Sequence, residues 1–259
     1  MKLFKFFTQE LAIDLGTANT LIIQNDQIVV DEPSIVAINR KTGETIAVGN
    51  RAMQMHEKTH ENIKTIRPLK DGVIADFQAA ENMIEGLISM IESRRTFFGH
   101  LKMVICIPSG ITEVEKRAVF DSADHVDSKE TYLIHEPMAA ALGIGLDVQE
   151  PIGNMVIDIG GGTTEIAVIA LSGIVCDQSI RIAGDEFSSD IMNYMKRQHN
   201  ILIGERTAEE MKIQIGTVFP RPQEVSMDVR GRNLVSGLPK TIRITSTEIM
   251  EALEEPVSS

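Results

Sequence analysis

Asp14 and Asp158 each close an apolar run and each stand two residues before a glycine, with threonine following. LAIDLGTANTLII spans residues 11–23 and VIDIGGGTTEIAVIAL spans residues 156–171. The shared order is apolar strand, Asp, glycine turn, Thr, apolar strand. Glycine lets a backbone approach phosphate oxygens closely, while turn N–H groups and Thr hydroxyls donate to them. A carboxylate at the same turn is suited to holding Mg2+ through the water shell of the ion. Two such turns facing one another would grip a polyphosphate from both sides. Dinucleotide-binding and P-loop readings fail here, because both need a helix directly after the glycines. Residues 164–171 and 20–30 instead read as strands, and GxxxxGK[ST] occurs nowhere.

The elements that must carry these turns alternate along the chain. LAIDL, TLIIQ, QIVVD and SIVAI are β-branched runs broken by Gly, Asn and Asp, as strands are. Within residues 75–95 the period changes: Phe77, Ala80, Ile84, Leu87, Ile88 and Ile91 mark one face of an amphipathic helix. MVICIP reads as a buried strand, and Thr112 with Glu115 forms a capping box that opens a helix to about Val126. TYLIHE is a short strand, and Pro137 suits the first turn of the helix after it. The near-continuous apolar runs of MVICIP and TYLIH fit parallel strands covered on both faces. NMVIDIGGG, TTEIAVIAL and GIVCDQSIRI then give three strands in a row. A helix over 185–198 follows, then one from Thr207 with Glu210 as a second capping box. EVSMDVRG and KTIRIT are strands, and a last helix begins near Thr245.

Bulk properties narrow the classes. A net charge of −12 over 259 residues argues against a nucleic-acid binder that works by neutralising phosphates. Cys106 and Cys176 lie far apart in β-like runs, so both are expected as buried free thiols in a reducing compartment. No apolar run approaches the ~20 residues of a membrane span, and MKLFKFF is too short for a signal peptide. A cytoplasmic location is the expectation. Wound as a helix, MKLFKFF puts Lys2 and Lys5 on one face and Leu3, Phe4, Phe6 and Phe7 over the rest, a pattern that lies in membrane interfaces. Phe97 and Phe98, flanked by Arg94, Arg95, His100 and Lys102, form a second candidate contact. A frayed terminus and a buried aromatic pair are the plainer alternatives. His56-Glu57-Lys58-Thr59-His60 fits HExxH, yet its polar surroundings and the lack of a convincing third ligand argue against zinc.

Six blocks in order carry a resemblance: IDLGTANTLI, EPSIVAI, IRPLKDGVIADF, HEPMAAALGIG, VIDIGGGTTE and VRGRNL. Together they resemble the actin, sugar-kinase and heat-shock-chaperone ATPase superfamily, and within it the MreB family of bacterial actin homologues, over essentially the whole chain. The resemblance implies an α/β, actin-like ATPase fold: two ribonuclease-H-like halves, each with a small inserted subdomain, the second half truncated. Residues 1–32 and 66–144 would form the first large subdomain and 33–65 its insert. Residues 145–181 and 241–259 would form the second large subdomain, ending before the family's C-terminal segment, with 182–240 as its insert. Apolar faces that this segment covers would then be exposed.

By the same resemblance, Asp14, Gly16, Thr17, Ala18 and Asn19 bind ATP at the first phosphate loop. Asp158, Gly160, Gly161, Gly162 and Thr163 bind it at the second, and Asp14 and Asp158 hold Mg2+ through water. Glu136 and Thr163 are the implied catalytic residues, with Glu136 orienting the attacking water. A carboxylate is apt for that task, although an acid at a helix N-terminus is also favoured by the helix dipole alone. Glu209 and Lys212 match the segment that contacts the nucleotide's sugar and base, while their spacing equally describes a surface ion pair. The implied function is an ATP-dependent cytoskeletal filament protein that polymerises on the inner face of the bacterial membrane and organises cell-wall synthesis and rod shape. Its implied partners are further copies of itself, anionic inner-membrane lipid and membrane proteins of the elongation machinery. A non-hydrolysing scaffold or inactive fragment is one alternative. A small-molecule kinase is another, although no dedicated acceptor Asp is found.

Overall fold

A computed structural model describes residues 8–56, 58, 61–91, 100–126 and 128–259. Leu3, Phe4, Phe6, Phe7, Phe97 and Phe98, together with Glu57 and His60 of the HExxH run, lie outside these residues. The chain divides into two compact units, residues 1–181 and 182–259.

In the first unit, β1 (Thr8–Leu15), β2 (Asn19–Gln24) and β3 (Gln27–Pro33) form an antiparallel meander. β9 (His100–Ile107) and β10 (Ser128–His135) add parallel strands on the other side of β1, giving the order β10-β9-β1-β2-β3. That order, a meander extended by two crossovers, is the ribonuclease-H-like arrangement the resemblance implies. Parallel pairing needs crossover helices, and α2 (Phe77–Ser89) and α3 (Glu113–His125) are present between these strands. α2 turns Ala80, Met83, Ile84, Leu87 and Ile88 into the core beside Ile13, Met103 and Ile105. α3 opens on the expected box: Thr112 Oγ1 accepts from Glu115 N–H, and the Glu115 carboxylate accepts from Thr112 N–H at 2.7 Å. Those bonds hold the Glu115 carboxyl below its usual range, the backbone bond contributing most.

Three smaller pieces complete this unit. β4 (Val36–Asn39), β5 (Thr45–Val48) and β6 (Ile63–Ile66) form a sheet in the order β5-β4-β6. With α1 (Gly49–Met53) it encloses a small core of Ile35, Ala37, Ala47 and Ala52. His56 follows α1 in a turn, its Nδ1 2.9 Å from Thr65 Oγ1. β7 (Leu69–Lys70) and β8 (Val73–Ile74) make a short hairpin. β11 (Asn154–Ile159), β12 (Thr164–Ala170) and β13 (Gly173–Ile180) form an antiparallel sheet, with α4 (Glu136–Gly143) packed on one face through Ala141, Val156, Ala167 and Ile169. Cys106 is half-buried as a free thiol. Cys176 is exposed, contrary to expectation, because its pairing with Val168 puts it on the sheet face away from that core.

The second unit pairs β14 (Ile201–Leu202), β15 (Ser226–Asn233) and β16 (Pro239–Thr245), with α5 (Gly184–His199), α6 (Glu205–Ile215) and α7 (Ser246–Ser258). Its core joins Ile191, Met195, Ile201, Met211, Ile244 and Ile249. α6 starts two residues before the expected Thr207. Ala208 N–H already bonds to Gly204 C=O, so Thr207 lies inside the first turn, and Glu210 pairs with Arg206 at 3.1 Å instead of closing a box. Residues 241–259, assigned by the resemblance to the second large subdomain, here share one core with residues 182–240: β16 pairs with β15, and Ile249 and Leu253 of α7 join it.

Candidate functional site

Three chain reversals meet in the first unit. The turn Gly16–Ala18 links β1 to β2, the turn Gly160–Thr163 links β11 to β12, and Asp71-Gly72 caps the β7–β8 hairpin. Both residues of that last turn have positive φ, 52° and 77°, the primed geometry that an Asp-Gly pair favours. Its tip reaches the first loop, where Gly72 N–H donates to Thr17 Oγ1 at 3.0 Å. Gly161 and Gly162 are glycines because the loops touch. A Cβ on Gly162 would lie 2.6 Å from Thr17 Oγ1 and 3.0 Å from the Asp71 backbone, and one on Gly161 would lie 2.8 Å from Ala18 Cβ. The two glycine hairpins therefore face one another at contact distance.

A second layer pins the first loop. Ser34 Oγ donates to Gly16 C=O at 2.6 Å and lies 2.9 Å from Thr20 Oγ1, while Ser34 N–H bonds to Ala18 C=O. Ser34 and Thr20 are buried, and so are Thr17 and Thr163. In the second loop, Gly160 N–H bonds to Thr163 C=O at 2.9 Å. Among the described residues, the N–H groups of Thr17, Ala18, Gly161 and Gly162 take no protein acceptor. Unspent donors in two facing turns are what an anion needs.

Carboxylates crowd the same place. Burial raises the Asp14 carboxyl, and the charge of Asp158 raises it further. Asp158 is raised by burial and then by Glu165, its direct cross-strand partner. Glu136 opens α4 immediately after β10, with Pro137 in the first turn as expected. It is pushed up to about 8, by burial first and then by Asp14, Glu165 and Asp158. Like charges held together away from water each disfavour the other's ionisation, and a divalent cation between Asp14 and Asp158 would relieve that repulsion. Among the described residues, no three His, Cys, Asp or Glu side chains are placed to hold a bare metal ion.

Glu209 and Lys212 belong to α6 in the second unit. They pair at 2.7 Å, with Ser188 Oγ donating to Glu209 at 2.8 Å and Lys212 Nζ donating to Gly184 C=O at 2.8 Å. This network ties α6 to the start of α5.

Ser34, Thr20, Asp71-Gly72 and Glu165 escape the motif reading. Asp-Gly between the short runs Leu69-Lys70 and Val73-Ile74 was a legible turn signal, but nothing local says which loops its tip meets. Beside the site, a cavity of about 450 Å³ opens between β10 and β13, lined by Ser109, Leu133, His135, Met138, Ile174 and Asp177. None of its lining residues belongs to the glycine turns.

Comparison with known proteins agrees with this geometry. The sequence profile of the MreB/Mbl protein family matches residues 8–259. The cell shape-determining protein Mbl of Bacillus subtilis is 48% identical over 253 residues, covering 97% of this chain and 76% of its own length. The cell shape-determining protein MreB of Escherichia coli is 48% identical over 257 residues, covering 97% and 74%. Among solved structures, MreB5 of Spiroplasma citri bound to AMPPNP superposes with a TM-score of 0.89 at 40% identity, covering 97% of this chain and 75% of that one. The same protein has also been solved bound to ADP. With the actin-like fold and the paired hairpins in place, the chain belongs to the MreB/Mbl family.

Proposed function

We propose that this protein binds ATP between its two glycine hairpins, hydrolyses it slowly, and uses the cycle to assemble cell-shape-determining filaments. The observation that carries the reading is the contact of Gly161 and Gly162 with Thr17 and Ala18, with Asp14, Asp158 and Glu136 close enough to perturb one another's ionisation. In this reading, the free N–H groups of both turns and the hydroxyls of Thr17 and Thr163 bind the phosphates. Asp14 and Asp158 would hold Mg2+ through its waters, and the bound ion would neutralise phosphate charge. Glu136 orients a water and takes its proton at a carboxylate oxygen. The family resemblance assigns Glu209 and Lys212 of the second unit to the nucleoside, and their ion pair steadies α6. A nucleotide in the homologous MreB5 of S. citri and the family's cell-shape names support the assignment.

Membrane attachment belongs to the same proposal, placing the protein at the inner face of the membrane, in the cytoplasm, near the elongation machinery. The sequence offers Leu3, Phe4, Phe6 and Phe7 beside Lys2 and Lys5, with Phe97 and Phe98 as a second contact. Each buried Phe is worth roughly 1.5–3 kcal/mol and each basic residue near an anionic surface about 1 kcal/mol. Deleting residues 2–7 should lower co-sedimentation with anionic liposomes. Equal pelleting would move the anchor elsewhere.

The ATPase reading is tested by calorimetry with Mg·ATP and by single-turnover phosphate release, with electron microscopy of the same samples. Saturable binding, slow release and nucleotide-dependent filaments are expected. No binding at millimolar Mg·ATP would end it.

A further inference from the structure

Glu165 has no task in the reading above, and it is an unusual residue for its place. It follows the glycine turn in β12, where Ala167 and Ile169 on the same face are core residues, and it is itself only 1% exposed. Directly across the sheet stands Asp158. A buried carboxylate opposite another acid is costly on two counts, desolvation and like-charge repulsion, and an apolar side chain would continue the face at lower cost.

Its bonds indicate what it does. Glu165 Oε2 accepts from Ser109 N–H at 3.0 Å, and Oε1 accepts from Ser179 Oγ at 2.5 Å. Ser109 lies in the turn between β9 and α3, whereas Ser179 is the neighbour of Glu165 on β13. The next residue of that turn, Gly110, lies so near that a Cβ would come 3.3 Å from Ser179 Cβ. The preceding residue, Pro108, sits 3.1 Å from where a Cβ on Gly72 would be. One carboxylate thus joins the sheet of the second hairpin to a turn that also abuts the Asp71-Gly72 tip. That tip holds Thr17 of the first hairpin.

We infer that Glu165 is a positioning residue of the phosphate site: by clamping the Pro108–Gly110 turn to β12 and β13, it fixes the distance between the two glycine hairpins. The inference rests on the ATP reading of those hairpins. It explains why a carboxylate occupies a core position, since its two oxygens satisfy two donors on separate elements at once.

The test compares Glu165→Leu, Glu165→Gln and Ser179→Ala in the full chain with Mg·ATP. Glu165→Leu should lower the single-turnover rate about 10- to 100-fold, since displacements of about 1 Å cost that much, with ATP affinity falling by a smaller factor. Glu165→Gln should recover to within about threefold of the parent, because its amide keeps an acceptor for Ser109 and the Ser179 hydroxyl turns to accept from its NH2. Ser179→Ala, which spares the fold if the Leu variant does not, should lose about 3- to 10-fold. A parental rate in the Leu variant, or in Ser179→Ala if the Leu variant does not fold, overturns the clamp. So does a Gln variant as slow as the Leu variant, which would mean that charge matters and not the bonds. Hydrogen exchange separates this inference from the ATPase reading. In the Leu variant, or in Ser179→Ala if that variant fails to fold, exchange should accelerate at residues 108–110 and also at the distant 16–18 loop. A parent that releases no phosphate sinks the ATPase reading, and the clamp then stands or falls on the 16–18 exchange.

Discussion

At neutral pH and without a cation, burial and the neighbouring carboxylates favour the neutral form of Glu136. Its carboxyl rises from an ordinary 4.5 to about 8, chiefly through burial. Folding therefore favours the protonated form. The stability this contributes is complete below about pH 4.5 and is lost as pH rises through about 8. In metal-free buffer, Glu136→Gln should melt above the parent at pH 9 and converge with it near pH 5. Coincident melting curves across that range would show that Glu136 is solvated. The same variant should slow phosphate release on the order of 10²-fold while sparing ATP binding. Asp14→Ala and Asp158→Ala should act oppositely, each weakening ATP affinity about 10- to 100-fold in Mg2+ and much less in EDTA. Calorimetry in both buffers separates the roles, and an equal loss in EDTA would remove the cation from the account.

Elements were legible where one local signal decided them. The strands around both glycine turns and the Thr112 box depend on neighbours within a few residues, and each formed as read. The α2 stripe formed over Ala80, Ile84, Leu87 and Ile88, but Phe77 opens the helix 42% exposed and Ile91 lies past its end at Ser89. Thr207-Glu210 carried the same box pattern and failed, because Gly204 caps the helix three residues earlier. A cap motif states a preference, and the chain chooses among adjacent starts. What local pattern could not give was the meeting of elements far apart in sequence: Asp71-Gly72 against Thr17, or Ser109 against Glu165. The glycine contacts make that meeting testable. Gly162→Ala adds a Cβ 2.6 Å from Thr17 Oγ1 and 3.0 Å from the Asp71 backbone. The backbone cannot yield as a side chain does, so the hairpins must part, at a cost of about 1–3 kcal/mol. Both melting temperature and ATP affinity should fall. A melting temperature lowered with affinity intact would mean that the contact is structural only.

At the scale of the molecule, the β11–β13 sheet has two unlike faces. One face covers Val156, Ala167 and Ile169 with α4. The other presents Met155, Ile157 and Ile159, which are 65%, 58% and 61% exposed along an edge strand. Ile166 and Val168 lie opposite them on the same face. Apolar edge strands left open to water invite pairing and aggregation, and this chain's charge of −12 opposes that only by general repulsion, which salt screens. The chain alone should therefore bind the dye ANS while fully folded and aggregate faster as salt is raised. Met155→Lys with Ile157→Lys should suppress both effects. The substituted side chains already face solvent, so stability should move by no more than about 0.5 kcal/mol per site. Dye fluorescence and light scattering on folded samples of both proteins decide the matter. If the double variant binds the dye as strongly as the parent, the exposed surface responsible lies on another face.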